Sequence, residues 1–318
     1  MKPLFKLGIA FSAVLFLLGI IGIGAGIAMG VTPSQLIYTG HYPGRFSVWS
    51  DGRLPDLDDL DSDTLPSLLG NNPLGGEEYY EFTDIKSLEL ELGLCELRVL
   101  AHDEAYVAVS ATNVKNYFQC RQEGDTLVLT DDRTVSVKSN SMKQSLHLDL
   151  YLPRQEYREF ELDLGAGDFT LDDLTADAVE IDIGTGSISI GKLSCRELDI
   201  DSGIGEFFAD FISASQEADL NIATGTAVIS CFDGKALSLD CAVGNAEVTA
   251  VGSEQDYNYR LEAALGSTHI SRQHQENESL PSDSFHEDED GLEVQNNAER
   301  QIEILCSLGS AQLNFTEE

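Results

Sequence analysis

Positive charge is scarce in this chain. Its 318 residues carry 19 Lys and Arg against 55 Asp and Glu, a formal net charge of −36. Phosphate recognition needs basic patches, so DNA and RNA are excluded as partners. Flat docking onto anionic lipid is disfavoured for the same reason. Cationic groups and divalent ions are what such a surface attracts. Cysteine is also sparse: positions 95, 120, 195, 231, 241 and 306 form no CxxC pair, and no His/Cys set has zinc spacing. No GxSxG, HExxH or phosphate-binding loop occurs. No catalytic activity is expected, and no cofactor apart from the calcium considered below.

Residues 7–29 hold no charge at all. A run of that length spans a bilayer core as a helix. Lys2 and Lys6 precede it, and the positive-inside rule leaves them cytoplasmic. Residues 1–30 are therefore expected to be a single-pass transmembrane anchor in the cell membrane, with the rest of the chain extracytoplasmic. The alternative is a cleaved secretory signal, for which Gly26 and Ala28 offer a weak site. Residues 31–80 lack sustained periodicity and are rich in Pro, Gly and closely spaced Asp, as in a flexible acidic tether. Residues 271–300 read as an acidic disordered insertion at a turn. Its HEDEDG run fails as an EF-hand loop: with Asp288, Asp290 and Gly291 at positions 3, 5 and 6, His286 and Asn297 fall at the end ligands.

What the chain has in abundance is a repeat. Segments such as FELDLGAGDFTL, VEIDIGTGSISI, LSLDCAVGNAEV and IEILCSLGSAQL align on one glycine: Gly167, Gly186, Gly205, Gly225, Gly244, Gly266 and Gly309. The first six are 19, 19, 20, 19 and 22 residues apart. A small residue stands two positions before each: Gly165, Gly184, Gly203, Ala223, Ala242, Ala264 and Ser307. Apolar residues alternate on both sides, as in Phe160/Leu162/Leu164 and Phe169/Leu171. Period two marks half-buried strands, and the glycine marks a bend. An upstream unit, LELELGLCELRV, puts Cys95 in the glycine position. Residues 81–318 are thus expected to form an all-β domain, a β-solenoid like a parallel β-helix, with repeats of about 20 residues. A meandering β-sandwich is the rival architecture. Between 100 and 160 the alternation is looser, with strands expected at Val107/Val109, Leu127/Leu129, Val135/Val137 and Leu146 to Leu152.

An N-terminal apolar segment, a run such as SLHLDLYLP and then GxG-centred strand repeats resemble the bacterial DUF4097 family of adhesin-like β-strand repeat proteins, over residues 85–315. The resemblance implies a stacked-strand fold. It carries no catalytic signature and no functional residues.

Four residues before the bend glycines stand Asp163, Asp182, Asp201, Asn221, Asp240 and Glu262, with Leu305 breaking the pattern. Six residues before stand Glu161, Glu180, Asp199 and Asp219. Alternation points both columns outward, with rungs about 4.8 Å apart. Asp163, Asp182 and Asp201 are the candidate ligands for bridging calcium, which accepts several carboxylate oxygens in flexible geometry. Cys241 and Cys306 share one column with an intervening rung between them. Their separation would then be about 9–10 Å, beyond disulfide reach, so free, buried thiols are expected. The function these features point to is a membrane-anchored, adhesin-like module binding a surface glycan or a protein. The alternatives are an envelope-stress or signalling accessory and a polysaccharide-active β-helix enzyme. The latter would need basic partners for its carboxylates, and the repeats offer only Lys192, Arg196, Lys235 and Arg260.

Overall fold

The computed structural model describes residues 76–115, 117–131, 145–271, 286–288 and 291–316. The expected anchor at 1–30, nearly all of the tether and the strand at Val135/Val137 lie outside these residues. Among the described residues no helix is long and apolar enough to cross a membrane. They are almost wholly β, with one short 3-10 turn at Glu254–Asp256.

Strands β1 (Gly76–Phe82), β2 (Ser87–His102), β3 (Val107–Val114), β4 (Phe118–Glu123), β5 (Thr126–Asp131) and β6 (Leu146–Pro153) build the first rung and its cover. β2 is that rung. Its first half pairs in parallel with β5, which β4 flanks antiparallel, and its second half pairs in parallel with β6, followed by antiparallel β3 and β1. These short meanders close the open edge that a strand stack would otherwise present to other chains. The first described strand, β1, starts at Gly76.

The stack then winds in chain order through β7 (Glu156–Ala166) and β8 (Phe169–Phe232) to β9 (Ala236–Val251), all parallel. β8 is unbroken over 64 residues, so the expected bends are kinks in one extended chain rather than loops. Gly186 shows why the position is glycine. Its φ is +151°, and a Cβ there would stand 1.7 Å from the carbonyl oxygen of Gly167 on the rung before. No side chain survives that approach, so rungs meet at hydrogen-bonding distance only if the corner is bare. The alternating residues Phe160, Leu162, Leu164, Ile181, Ile183, Ile188, Ile190, Leu220 and Ile222 point inward and are buried, forming one continuous core. Parallel rungs and this shared core agree with the solenoid and not with the sandwich.

The C-terminal end departs from chain order. β10 (Tyr257–Ser271) comes next in sequence but does not pair with β9. The last strand, β13 (Arg300–Thr316), lies between them, parallel to both: Gly309 faces Gly244 on one side and Gly266 on the other. The carbonyl contacts repeat the order, since a Cβ at Gly309 would strike Gly244 and one at Gly266 would strike Gly309. The hairpin β11 (His286–Asp288) and β12 (Gly291–Val294) then covers Tyr259, Arg260 and Leu261 of β10. Part of the stretch expected to be a disordered insertion is therefore ordered strand, and it covers the first half of β10, whose second half is exposed. β13 is held by Arg300, which donates to the Val251 carbonyl (3.0 Å), to the Tyr257 hydroxyl (2.7 Å) and to Asp233 Oδ1 (2.6 Å), with its guanidinium 5.3 Å from the Tyr257 ring centre.

Candidate functional site

The alternation that buries one set of side chains turns the other set out on the same face of every rung. The register aligns Glu91, Asp163 and Asp182 directly, and Asn221 with Asp240. Asp201 stands on the rung after Asp182, 19 residues on within β8. The three residues expected to share a column, Asp163, Asp182 and Asp201, therefore do so, and all three are exposed. Glu89, Glu161 and Glu180 form the parallel column two residues away, continued by Asp199 and Asp219.

Like charges aligned on adjacent rungs repel, and solvent only partly screens them. Partial burial, followed by Asp201, Glu180, Asp163 and Asp199, pushes the Asp182 carboxyl up to about 6. Partial burial and Glu91 raise Asp163. Burial first, and neighbouring carboxylates second, likewise raise Glu161, Asp199 and Asp240. Among the described residues Asp163, Asp182 and Asp201 make no ion pair with Lys or Arg. Arg260 limits the acidic face at its C-terminal end, where it binds Glu303 (2.9 Å) and Glu262 (2.5 Å). The break at Leu305 is internal, because insertion of β13 places that residue between Asp240 and Glu262.

Among the described residues no group of three or more His, Cys, Asp or Glu is arranged to hold a metal ion. The carboxylates follow one another up the stack instead of converging on a point. What the arrangement offers is a long, flat array of negative charge at rung spacing.

A family model, Toastrack DUF4097, matches residues 85–309. The chain belongs to the Toastrack DUF4097 family. No curated protein sequence matches it. Similar solved structures include a candidate cell-adhesion protein from Clostridium sporogenes, with 12% identity, coverage of 76% of this chain and 99% of that one, and a TM-score of 0.36. A candidate adhesin from Parabacteroides distasonis has 11% identity, coverage of 76% and 98%, and a TM-score of 0.39. A candidate lipid-binding protein from the same organism has 12% identity, coverage of 76% and 98%, and a TM-score of 0.28.

Sequence reasoning placed the acidic columns of this Toastrack domain but missed their continuation through Glu89 and Glu91 and their neutralisation by Arg260. Glu89 and Glu91 were legible: they stand six and four residues before Cys95, as their counterparts stand before each glycine. The Arg260–Glu303 pair was not legible, because it depends on the position of β13.

Proposed function

We propose that this chain is a non-catalytic, adhesin-like binding module, anchored in the cell membrane by residues 7–29 and presenting its Toastrack domain outside the cell. The observation that carries the reading is the pair of outward carboxylate columns aligned rung on rung along β2, β7 and β8, in which burial first and neighbouring carboxylates second raise Glu161, Asp163 and Asp182. A surface in which like charges face one another at rung spacing lowers its free energy by taking up cations. The partner is then a cationic segment of a surface polymer or protein. Calcium is the smallest candidate: a rung spacing of about 4.8 Å is twice a calcium–oxygen distance of about 2.4 Å. It would bridge Asp163, Asp182 and Asp201 once their side chains turn toward one another. The apolar run behind Lys2 and Lys6 supports the anchor and its orientation.

The test uses the full chain and a variant carrying Asp163→Asn, Asp182→Asn and Asp201→Asn. The wild type should bind poly-lysine saturably, lose that binding in high salt and melt at a higher temperature in calcium than in chelator. The variant should bind at least tenfold more weakly and lose the calcium shift. Equal binding by both proteins would reduce the acidic face to a solvated surface. Protease added to intact protoplasts should remove the domain; full protection would overturn the topology.

A further inference from the structure

The inward column three residues before the bend runs Leu92, Leu164, Ile183, Ser202, Ile222, then Cys241, Cys306 and Ala263. Cys241 lies in β9 and Cys306 in the inserted β13, so residues far apart in sequence become direct register partners. This corrects the separation of about 9–10 Å expected from chain order. No rung intervenes, because the intervening unit in sequence, β10, lies beyond β13. Both thiols are buried. They repeat one pose: Cys306 donates to the carbonyl of Gly244 (3.3 Å), and Cys241 leans toward that of Gly225 (3.9 Å), each on the neighbouring rung. The two side chains also interact directly. Cys95 and Cys120, by contrast, face Leu146 and Leu129.

We propose that Cys241 and Cys306 are a disulfide site that fixes the C-terminal strand in its slot when the chain folds in the presence of a disulfide oxidant. In-register parallel neighbours have Cα atoms about 4.8 Å apart, inside the range of about 4.4–6.8 Å that disulfides span. The Cβ atoms need to approach by roughly 0.5–1 Å for bonding. In the reaction the thiolate of one cysteine attacks a sulfur of the oxidant disulfide, expelling one oxidant thiolate and leaving a mixed disulfide. The second cysteine thiolate then attacks the protein sulfur of that bond and expels the other oxidant thiolate. Two protein thiols lose two protons and two electrons, and one oxidant disulfide becomes two thiols. Burial pushes the Cys241 thiol up to about 12 and raises that of Cys306 as well. The thiolate needed for exchange is therefore scarce once the slot has closed, so bonding accompanies docking of β13. The finished bond is buried between rungs, out of reach of reductants.

The experiment folds the reduced, denatured full chain in an oxidised/reduced glutathione buffer and, separately, in dithiothreitol. Free thiols are then alkylated under denaturing conditions and mapped by peptide mass spectrometry. The oxidised arm should lose two of its six thiols, yield a peptide joining Cys241 to Cys306, and unfold at least about 5 °C higher than the reduced arm. Cys241→Ser should abolish both the joined peptide and the shift. A chain in which Cys95, Cys120, Cys195 and Cys231 are all replaced by Ser should still give the joined peptide. Six alkylated thiols after oxidative folding of the wild type, or a bond joining any other pair, would overturn the proposal.

Discussion

From Cys95 to Gly244 the corner column follows the chain, and beyond Gly244 it does not. In the first region each rung lies on the one that precedes it in sequence, 19 or 20 residues earlier from Gly167 onward. At the C-terminal end the chain skips a position, leaves room between β9 and β10, and returns to fill it with β13. From Gly167 onward the rungs of both regions share a bare corner and a parallel register, and their inner side chains alternate into the core except in the second half of β10, which is exposed. The main difference is in how each rung is joined to its neighbours. A consecutive rung is held by its covalent connections as well as by packing. The inserted rung depends on packing, ladder hydrogen bonds and the Arg300 contacts.

The largest effect should come from removing the insert. A chain ending at residue 299 loses the buried Ile302, Ile304, Leu313 and Phe315. At about 1.5–3 kcal/mol each, that is about 6–12 kcal/mol, comparable with the whole stability of a domain, about 5–15 kcal/mol. Hydrogen exchange should show β9 and β10 unprotected while β7 and the first half of β8 stay protected. Protection retained throughout would erase the contrast between the two ends.

Next come the corners. Gly186→Val and Gly309→Val each force a side chain into a neighbouring carbonyl at positive φ, and each should cost more than about 3 kcal/mol in denaturant melts. The Gly309 variant should lose exchange protection mainly in β9, β13 and β10. The Gly186 variant should loosen the consecutive rungs. Arg300→Ala should cost about 2 kcal/mol through its lost hydrogen bonds and ring contact. Arg300→Lys should recover little of it, since one ammonium cannot serve three acceptors on separate segments.

The smallest effect is electrostatic and belongs to the consecutive region. Asp182 titrates near 6 in the fold against about 3.9 in an unfolded chain. Between those values the folded state holds the extra proton, so stability falls as pH rises through that window. Asp163, Asp199, Asp240 and Glu161 shift in the same direction. Asp177 and Asp256 shift down, and both remain ionised at pH 5. The melting midpoint should therefore rise on acidification from pH 7 to pH 5. Asp182→Asn should raise the midpoint at pH 7 and flatten the pH dependence.

The consecutive rungs were legible in the sequence because their physics is local. Glycine at a kink and alternation around it recur with every turn of the coil, so spacing reports stacking directly. The acidic columns were legible for the same reason. The inserted rung was not, because rung order is a tertiary property: the Gly309 unit carries the same pattern wherever in the stack it lies. One trace was present. The step from Gly244 to Gly266 is 22 residues instead of 19. The added length includes Ser253 and the turn Glu254–Asp256, in which Asp256 accepts from the Ser253 amide and hydroxyl at 2.8 Å. That turn supplies the extra chain needed to climb past one rung. Of the antiparallel covers only β3 was legible as a strand, through Val107 and Val109, and its pairing was not, because alternation does not specify the direction of a neighbour.

Everything that sets the C-terminal end apart follows from the position of β13 between β9 and β10. Nuclear Overhauser contacts between backbone protons at the corner column, recorded on deuterated protein with protonated amides, test it most directly. Cross-peaks are expected from Gly309 to the rungs of both Gly244 and Gly266, and none between the Gly244 and Gly266 rungs. Direct contact between Gly244 and Gly266, with Gly309 touching only one of them, would contradict it.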